Sequence, residues 1–191
     1  MSISMDTINL LSRRRSVPPA FLAGPGPSEA ELETMLTIAS RVPDHGKLQP
    51  WRFIIYAGEA RLKASRIVEE AFLAANPGAD EGARKKEAAR FSQAPLVVGV
   101  ISTAAPHVKI PLWEQELSAA AVCQNLLIAA AALGYGASWL TGWYAYDAGV
   151  GASLGVKPGE KVAGFVHIGR PTETVPDRPR PSLRDIVSHF G

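Results

Sequence analysis

An α+β domain, with a mixed sheet flanked by helices, is predicted by three features of the sequence. Short runs rich in β-branched and aromatic residues recur at Arg52–Ala57, Leu96–Ile101, Ala137–Trp143 and Val162–Ile168. Segments with helical apolar spacing lie before and between them. The longest of these, Glu114 to Leu133, is apolar around nearly its whole circumference, which places it at the centre of the fold or beneath a partner chain.

The elements follow in order. Residues 5–15 read as a short helix with Ile8 and Leu11 on its apolar side and arginines at its end. Val17 to Pro27 is rich in Pro and Gly and is expected to be irregular. Ser28 and Glu31 form a capping box, so a helix starts there. Leu32, Met35, Leu36 and Ala39 share its inner face, and it ends near Ser40. Glu59 to Ala75 is helical until Asn76-Pro77-Gly78 breaks it, and residues 80–91 form an exposed helix. Leu96 to Ile101 is apolar without alternation, the pattern of a strand covered on both faces. Gly134 and Gly136 stop the long helix. After Gly169-Arg170-Pro171 a Pro/Arg-rich tail leads to Leu183, Ile186 and Val187, which are suited to packing on another chain.

Composition narrows the class further. A chain of 191 residues, 47% hydrophobic and 20% charged, supports a single folded domain over 1–191, or one protomer of an intertwined dimer. A formal charge of +2 gives no nucleic-acid or membrane signal. One cysteine, Cys123, excludes an internal disulfide and a cysteine-based zinc cluster. Four histidines without paired ligand spacing do not form a metal motif. No signal-peptide h-region or membrane-spanning run is evident, so a reducing, cytoplasmic location is expected.

Two groups of residues stand out chemically. Arg13, Arg14, Arg15 and Ser16 place three cations beside a hydroxyl at a helix end. Arginine presents a rigid fork of donors that suits phosphate. Taken alone, such a run is more often a solvated helix end complementing the macrodipole. The second group, Pro43-Asp44-His45-Gly46-Lys47-Leu48-Gln49-Pro50-Trp51-Arg52-Phe53, puts polar, cationic and aromatic side chains on one helix-to-strand loop. A ligand with a planar polar ring and a dianionic tail would use both groups, and flavin mononucleotide (FMN) is such a ligand.

Arg14-Arg15-Ser16 followed by Gln49-Pro50-Trp51-Arg52-Phe53 resembles the FMN-dependent nitroreductase family. The Pro43-Asp44-His45 form of the loop, with Trp113-Glu114-Gln115-Glu116, is similar to its small YdjA-like branch. The resemblance implies an intertwined homodimer with FMN at both interface sites. Arg14, Arg15 and Ser16 take FMN positions, while Arg41 and His45 meet the flavin of the neighbouring subunit. Trp139, Leu140 and Thr141 pass over the ring, with backbone amides near N5 and O4. Gly169 and a basic residue beyond it, Arg180 ahead of Arg178, lie toward the phosphate. Each has a plainer reading: His45 as a loop histidine bonded to backbone, Leu140 as core packing, and Gln49-Pro50-Trp51 as a junction.

The implied reaction is hydride transfer from NAD(P)H to flavin N5, then onward to a nitroaromatic, quinone or related acceptor. No Gly-x-Gly-x-x-Gly follows a strand, which fits ping-pong use of one open flavin face. No side chain is required as an acid or base. Relatives often carry a second cation near flavin N1 and O2 where this chain has Pro18, so Lys47 or Arg41 is expected to replace it. Rival readings are a flavin reductase with another acceptor chemistry and a non-catalytic FMN-binding or storage protein.

Overall fold

The structure is a computed structural model that describes residues 3–191. Strands β1 (Leu22–Ala23), β2 (Trp51–Ala57), β3 (Leu96–Ser102), β4 (Gly136–Leu140) and β5 (Lys161–Pro171) form one sheet. β5 is its hub: it pairs with β3, β4 and β1, and β3 pairs in turn with β2. Every pairing is antiparallel, so within one chain the sheet is antiparallel where a mixed one was expected.

Helices cover both faces. On one side α2 (Glu29–Ala39) and α5 (Leu112–Ala132) pack Met35, Ala39, Val122 and Leu126 against Val98, Val100, Val166 and Ile168. On the other, α3 (Glu59–Ala75) and α6 (Ala148–Ser153) pack Val68, Val150 and Leu154 with Phe91 and Tyr144 against Val97, Ile101 and Phe165. Double coverage explains why β3 is buried along its whole length and lacks alternation. Cys123 sits in the first of these cores, where burial pushes its thiol up to about 12 and leaves it inert.

Several boundaries move for local reasons. α1 spans Met5–Arg13 and stops two residues before the expected end, because Arg14 turns to an extended backbone (ψ 132°). The 17–27 segment contains a 3-10 turn, Pro19–Phe21, and then β1, which pairs only with the end of β5. α4 (Glu81–Ala88) is shorter than 80–91. Gly134, at φ 76°, ends α5, whereas Gly136 is a buried strand residue whose Cβ would lie 2.8 Å from Leu22. β4 ends at Leu140, since Gly142 leads instead into a 3-10 turn, Trp143–Ala145. A last short helix, α7 (Leu183–Ile186), lies in the exposed tail.

Candidate functional site

Two chain ends meet at the arginines. Val17 N–H donates to Ala137 O at 3.0 Å, tying the segment after α1 to β4. Thr172 N–H donates to Phe21 O at 3.0 Å, bringing the segment after β5 to the same neighbourhood. Asp177 then accepts from Arg15 Nη1 at 3.0 Å and lies 3.6 Å from Arg180 Nη2. Burial and the adjacent charges of Arg180 and Arg15 lower the Arg14 pKa, so a third guanidinium lies beside the two that Asp177 pairs with. Arg15 Nε is buried and has no acceptor. Ser16 is exposed beside the group, Arg13 lies on α1, and Arg178 touches Asp177 only through its backbone N–H. Asp177 was not anticipated; a lone carboxylate in a Pro/Arg-rich tail has no local signature.

The 41–51 loop is pinned to α5. Ser118 Oγ donates to Pro43 O at 2.6 Å, and Asn125 Nδ2 donates to Arg41 O at 2.9 Å. The Asp44 carboxylate accepts from Leu48 N–H and Gln49 N–H at 3.1 and 2.9 Å. Gly46, Lys47 and Gln49 all have positive φ, at 76°, 57° and 49°. For the latter two, which carry a Cβ, each costs about 1 kcal/mol or more. Gly46 also has no room for a side chain, since its Cβ would fall 2.2 Å from Ile110 Cδ1. A strained, well-tied loop of this kind holds its side chains in place. His45 Nδ1 lies 2.6 Å from Glu114 Oε2, while Arg41 and Lys47 are exposed and, among the described residues, make no ion pair. Within one chain no hydrogen bond or ion pair among the described residues joins this loop to the arginine junction.

At the end of β4 the indole of Trp139 donates to Ala163 O at 3.0 Å, Leu140 is half-buried and Thr141 is exposed past the last paired residue. The turn beyond is fixed by Trp143 Nε1, which donates to Glu87 Oε2 at 2.9 Å. Gly169 is a packing glycine: a Cβ there would meet Pro95 Cδ at 2.7 Å and Ala23 O at 2.9 Å. Arg170 belongs to the scaffold. Its guanidinium stacks 3.8 Å above the Tyr135 ring and donates to the phenol oxygen at 2.9 Å, and that phenol donates to Glu31 at 3.0 Å. Among the described residues no cluster of side chains is arranged to hold a metal ion, and no helix is long and apolar enough to cross a membrane.

An antiparallel sheet layered between helices, with a cationic junction at its edge, defines an α+β fold shared with solved proteins. The nitroreductase-like family protein from Bacillus cereus superposes with a TM-score of 0.83 at 23% identity, covering 100% of this chain and 98% of that one. A variant of the FMN and NADPH-dependent nitroreductase NfnB from sphigopyxis sp. strain HMH gives 0.73 at 22% identity, covering 99% and 100%. At such identities these likenesses show the fold alone. Sequence goes further. The nitroreductase family matches residues 11–170. "Putative NAD(P)H nitroreductase YdjA" of Escherichia coli (strain K12) is 35% identical over 167 residues, 87% of this chain and 89% of that protein. The chain belongs to the nitroreductase family and is an oxidoreductase.

Proposed function

We propose that the chain is an FMN-dependent NAD(P)H oxidoreductase that works as a homodimer and passes hydride to a nitroaromatic, quinone or related acceptor. The observation that carries this reading is the buried, unpartnered Nε of Arg15 among three guanidiniums balanced by one carboxylate. A buried charged donor without an acceptor is costly, and a phosphate monoester supplies both the acceptor and the missing negative charge. The residues therefore fit FMN. NfnB is FMN- and NADPH-dependent by name, and YdjA carries an NAD(P)H nitroreductase name, which supports the same cofactors here.

In this reading Arg14, Arg15, Ser16 and Arg180 hold the phosphate, and Gly169 lets β5 pack closely beside them. Trp139, Leu140 and Thr141 lend the backbone at the end of β4 to the ring. Arg41, His45 and Lys47 come from the second protomer. FMN, when bound, supplies the two-electron centre that takes hydride from the nicotinamide and yields it to the acceptor. The chain orients that centre, and the cations of the 41–51 loop offset negative charge near it.

The surface supports the dimer. α1 leaves Met5, Ile8 and Leu11 exposed and has no buried residue, although its apolar side chains share one face. Leu112, Trp113 and Leu117 at the start of α5, and Leu183, Ile186 and Val187 in the tail, are exposed as well. Apolar stripes of this extent need a partner surface. The buried, unreactive Cys123 suits a reducing cytoplasm.

The test is a visible spectrum of the purified protein, repeated after anaerobic NADH or NADPH. A flavin band that bleaches and returns with a quinone or nitroaromatic supports the proposal. A bound flavin that never bleaches leaves only a flavin carrier. Folded protein that fails to bind added FMN defeats the reading.

A further inference from the structure

Two ion pairs in this protein show how an arginine is closed by the chain itself. Arg52 gives Nε and Nη2 to the two oxygens of Glu160 at 2.8 and 2.6 Å. Arg90 gives the same two nitrogens to Glu87 at 3.0 and 2.7 Å. In both, the edge formed by Nε and Nη2, which binds a two-oxygen acceptor most effectively, is spent on a carboxylate.

Arg15 differs. Its bond to Asp177 uses Nη1, the nitrogen away from that edge, at 3.0 Å. Nε is left buried without an acceptor, on a side chain only 18% exposed. Asp177 thus holds the guanidinium by Nη1 and leaves the Nε edge unpaired, with Nε itself buried. It also sits between Arg15 and Arg180, reducing the repulsion that three cations in one place create.

We propose that Asp177 is a positioning residue for the anion site, presenting the Nε edge of Arg15 to the phosphate of the cofactor and docking the tail that delivers Arg180. The proposal rests on the FMN reading above. Asp177 itself touches no cofactor atom in this scheme. It acts through Arg15 and Arg180, so its removal affects recognition of the phosphate and leaves recognition of the ring alone.

The experiment compares the full-length protein with Asp177→Ala and Asp177→Glu, titrated with FMN and with riboflavin, which lacks the phosphate. Asp177→Ala is expected to weaken FMN by about five- to tenfold, with riboflavin unchanged and Asp177→Glu within about twofold of wild type. Equal weakening of both flavins overturns the proposal in favour of general scaffolding. Unchanged or tighter FMN overturns it too, the latter because Asp177 would then compete with phosphate. A second readout needs no flavin. The Nε–H resonance of Arg15, assigned by its loss in Arg15→Lys, should shift on adding inorganic phosphate, with at least about fivefold weaker response in Asp177→Ala. If wild type binds neither flavin, the FMN reading fails. The phosphate titration then decides the role of Asp177 alone: identical responses, or none in wild type, overturn it.

Discussion

The interior beneath α4 and the junction between the chain ends use the same chemistry for opposite purposes. At the first, Glu87 is buried, accepts both nitrogens of the Arg90 edge and also accepts from Trp143 Nε1. Although burial opposes its charge, these donors hold the Glu87 carboxyl below its ordinary range. At the second, Arg15 and Arg180 share one exposed carboxylate, Arg14 stands beside them, and a buried donor stays open. The first region pairs its charges within the chain and spends them on the fold. The second leaves a charged donor unspent, as the proposed anion site requires. An arginine's role is thus read from where its Nε edge goes, not from how many charges surround it.

The largest expected effect breaks the first region. Glu87→Ala strands the partly buried Arg90 and deprives Trp143 of its acceptor, and should cost about 3 kcal/mol of stability in urea unfolding. A loss no greater than that of an exposed ion pair, about 0.5 kcal/mol, would erase the contrast.

Next is the one open polar group of that same region. His167 is 0% exposed on β5, neither ring nitrogen has a partner, and burial, with Arg90 nearby, lowers its pKa to about 4. The unfolded chain takes up a proton near pH 6.5, the folded one only near 4. Its contribution is therefore intact above about pH 6.5 and lost as pH falls toward 4, about 3 kcal/mol in full. Because wild type loses only part of this before pH 4.5, urea midpoints at pH 7.5, 5.5 and 4.5 should diverge progressively from those of His167→Leu. Parallel midpoints would show that the ring is solvated or bonded.

Arg15→Ala sharpens the other side. FMN binding should weaken by about 2 kcal/mol, some thirtyfold, while unfolding shifts by less than about 0.5 kcal/mol. A variant that unfolds readily would move Arg15 into the same class as Arg90. The smallest effect concerns the loop cations. Arg41→Ala or Lys47→Ala should make the bound flavin's midpoint more negative by about 20–30 mV, near 1 kcal/mol for two electrons. If both leave the potential unchanged, neither replaces the cation absent at Pro18.

Much of the fold was legible wherever a local rule acts alone. The capping box at Ser28 and Glu31 starts α2 as expected, and α3 runs Glu59–Ala75 up to the Asn-Pro-Gly break. The uninterrupted apolar run of β3 announced burial on two faces. β1 escaped notice because a two-residue strand exists only by pairing with β5. Gly136 was misread as a helix stop because a glycine required by packing and one required by a left-handed turn look alike in sequence. At the candidate site, Arg14, Arg15 and Arg180 were visible as cations and were ranked above Arg13 and Arg178, but which guanidinium nitrogen each would leave open was not. His45 was visible, its partner Glu114 only as part of a motif, and Asp177 not at all.

By itself the sequence determined the helices, the apolar strands, the family and the residue types able to meet a phosphate and a planar ring. Those depend on spacing and side-chain chemistry within a few residues. Only the tertiary structure decided that every strand pairing in the chain is antiparallel and that residues 162 positions apart share an ion pair. It alone decided that Arg15 keeps its Nε buried and unspent. Such facts arise from long-range packing, which brings a helix end and a tail to one place and sets which atom of a guanidinium is left to bind.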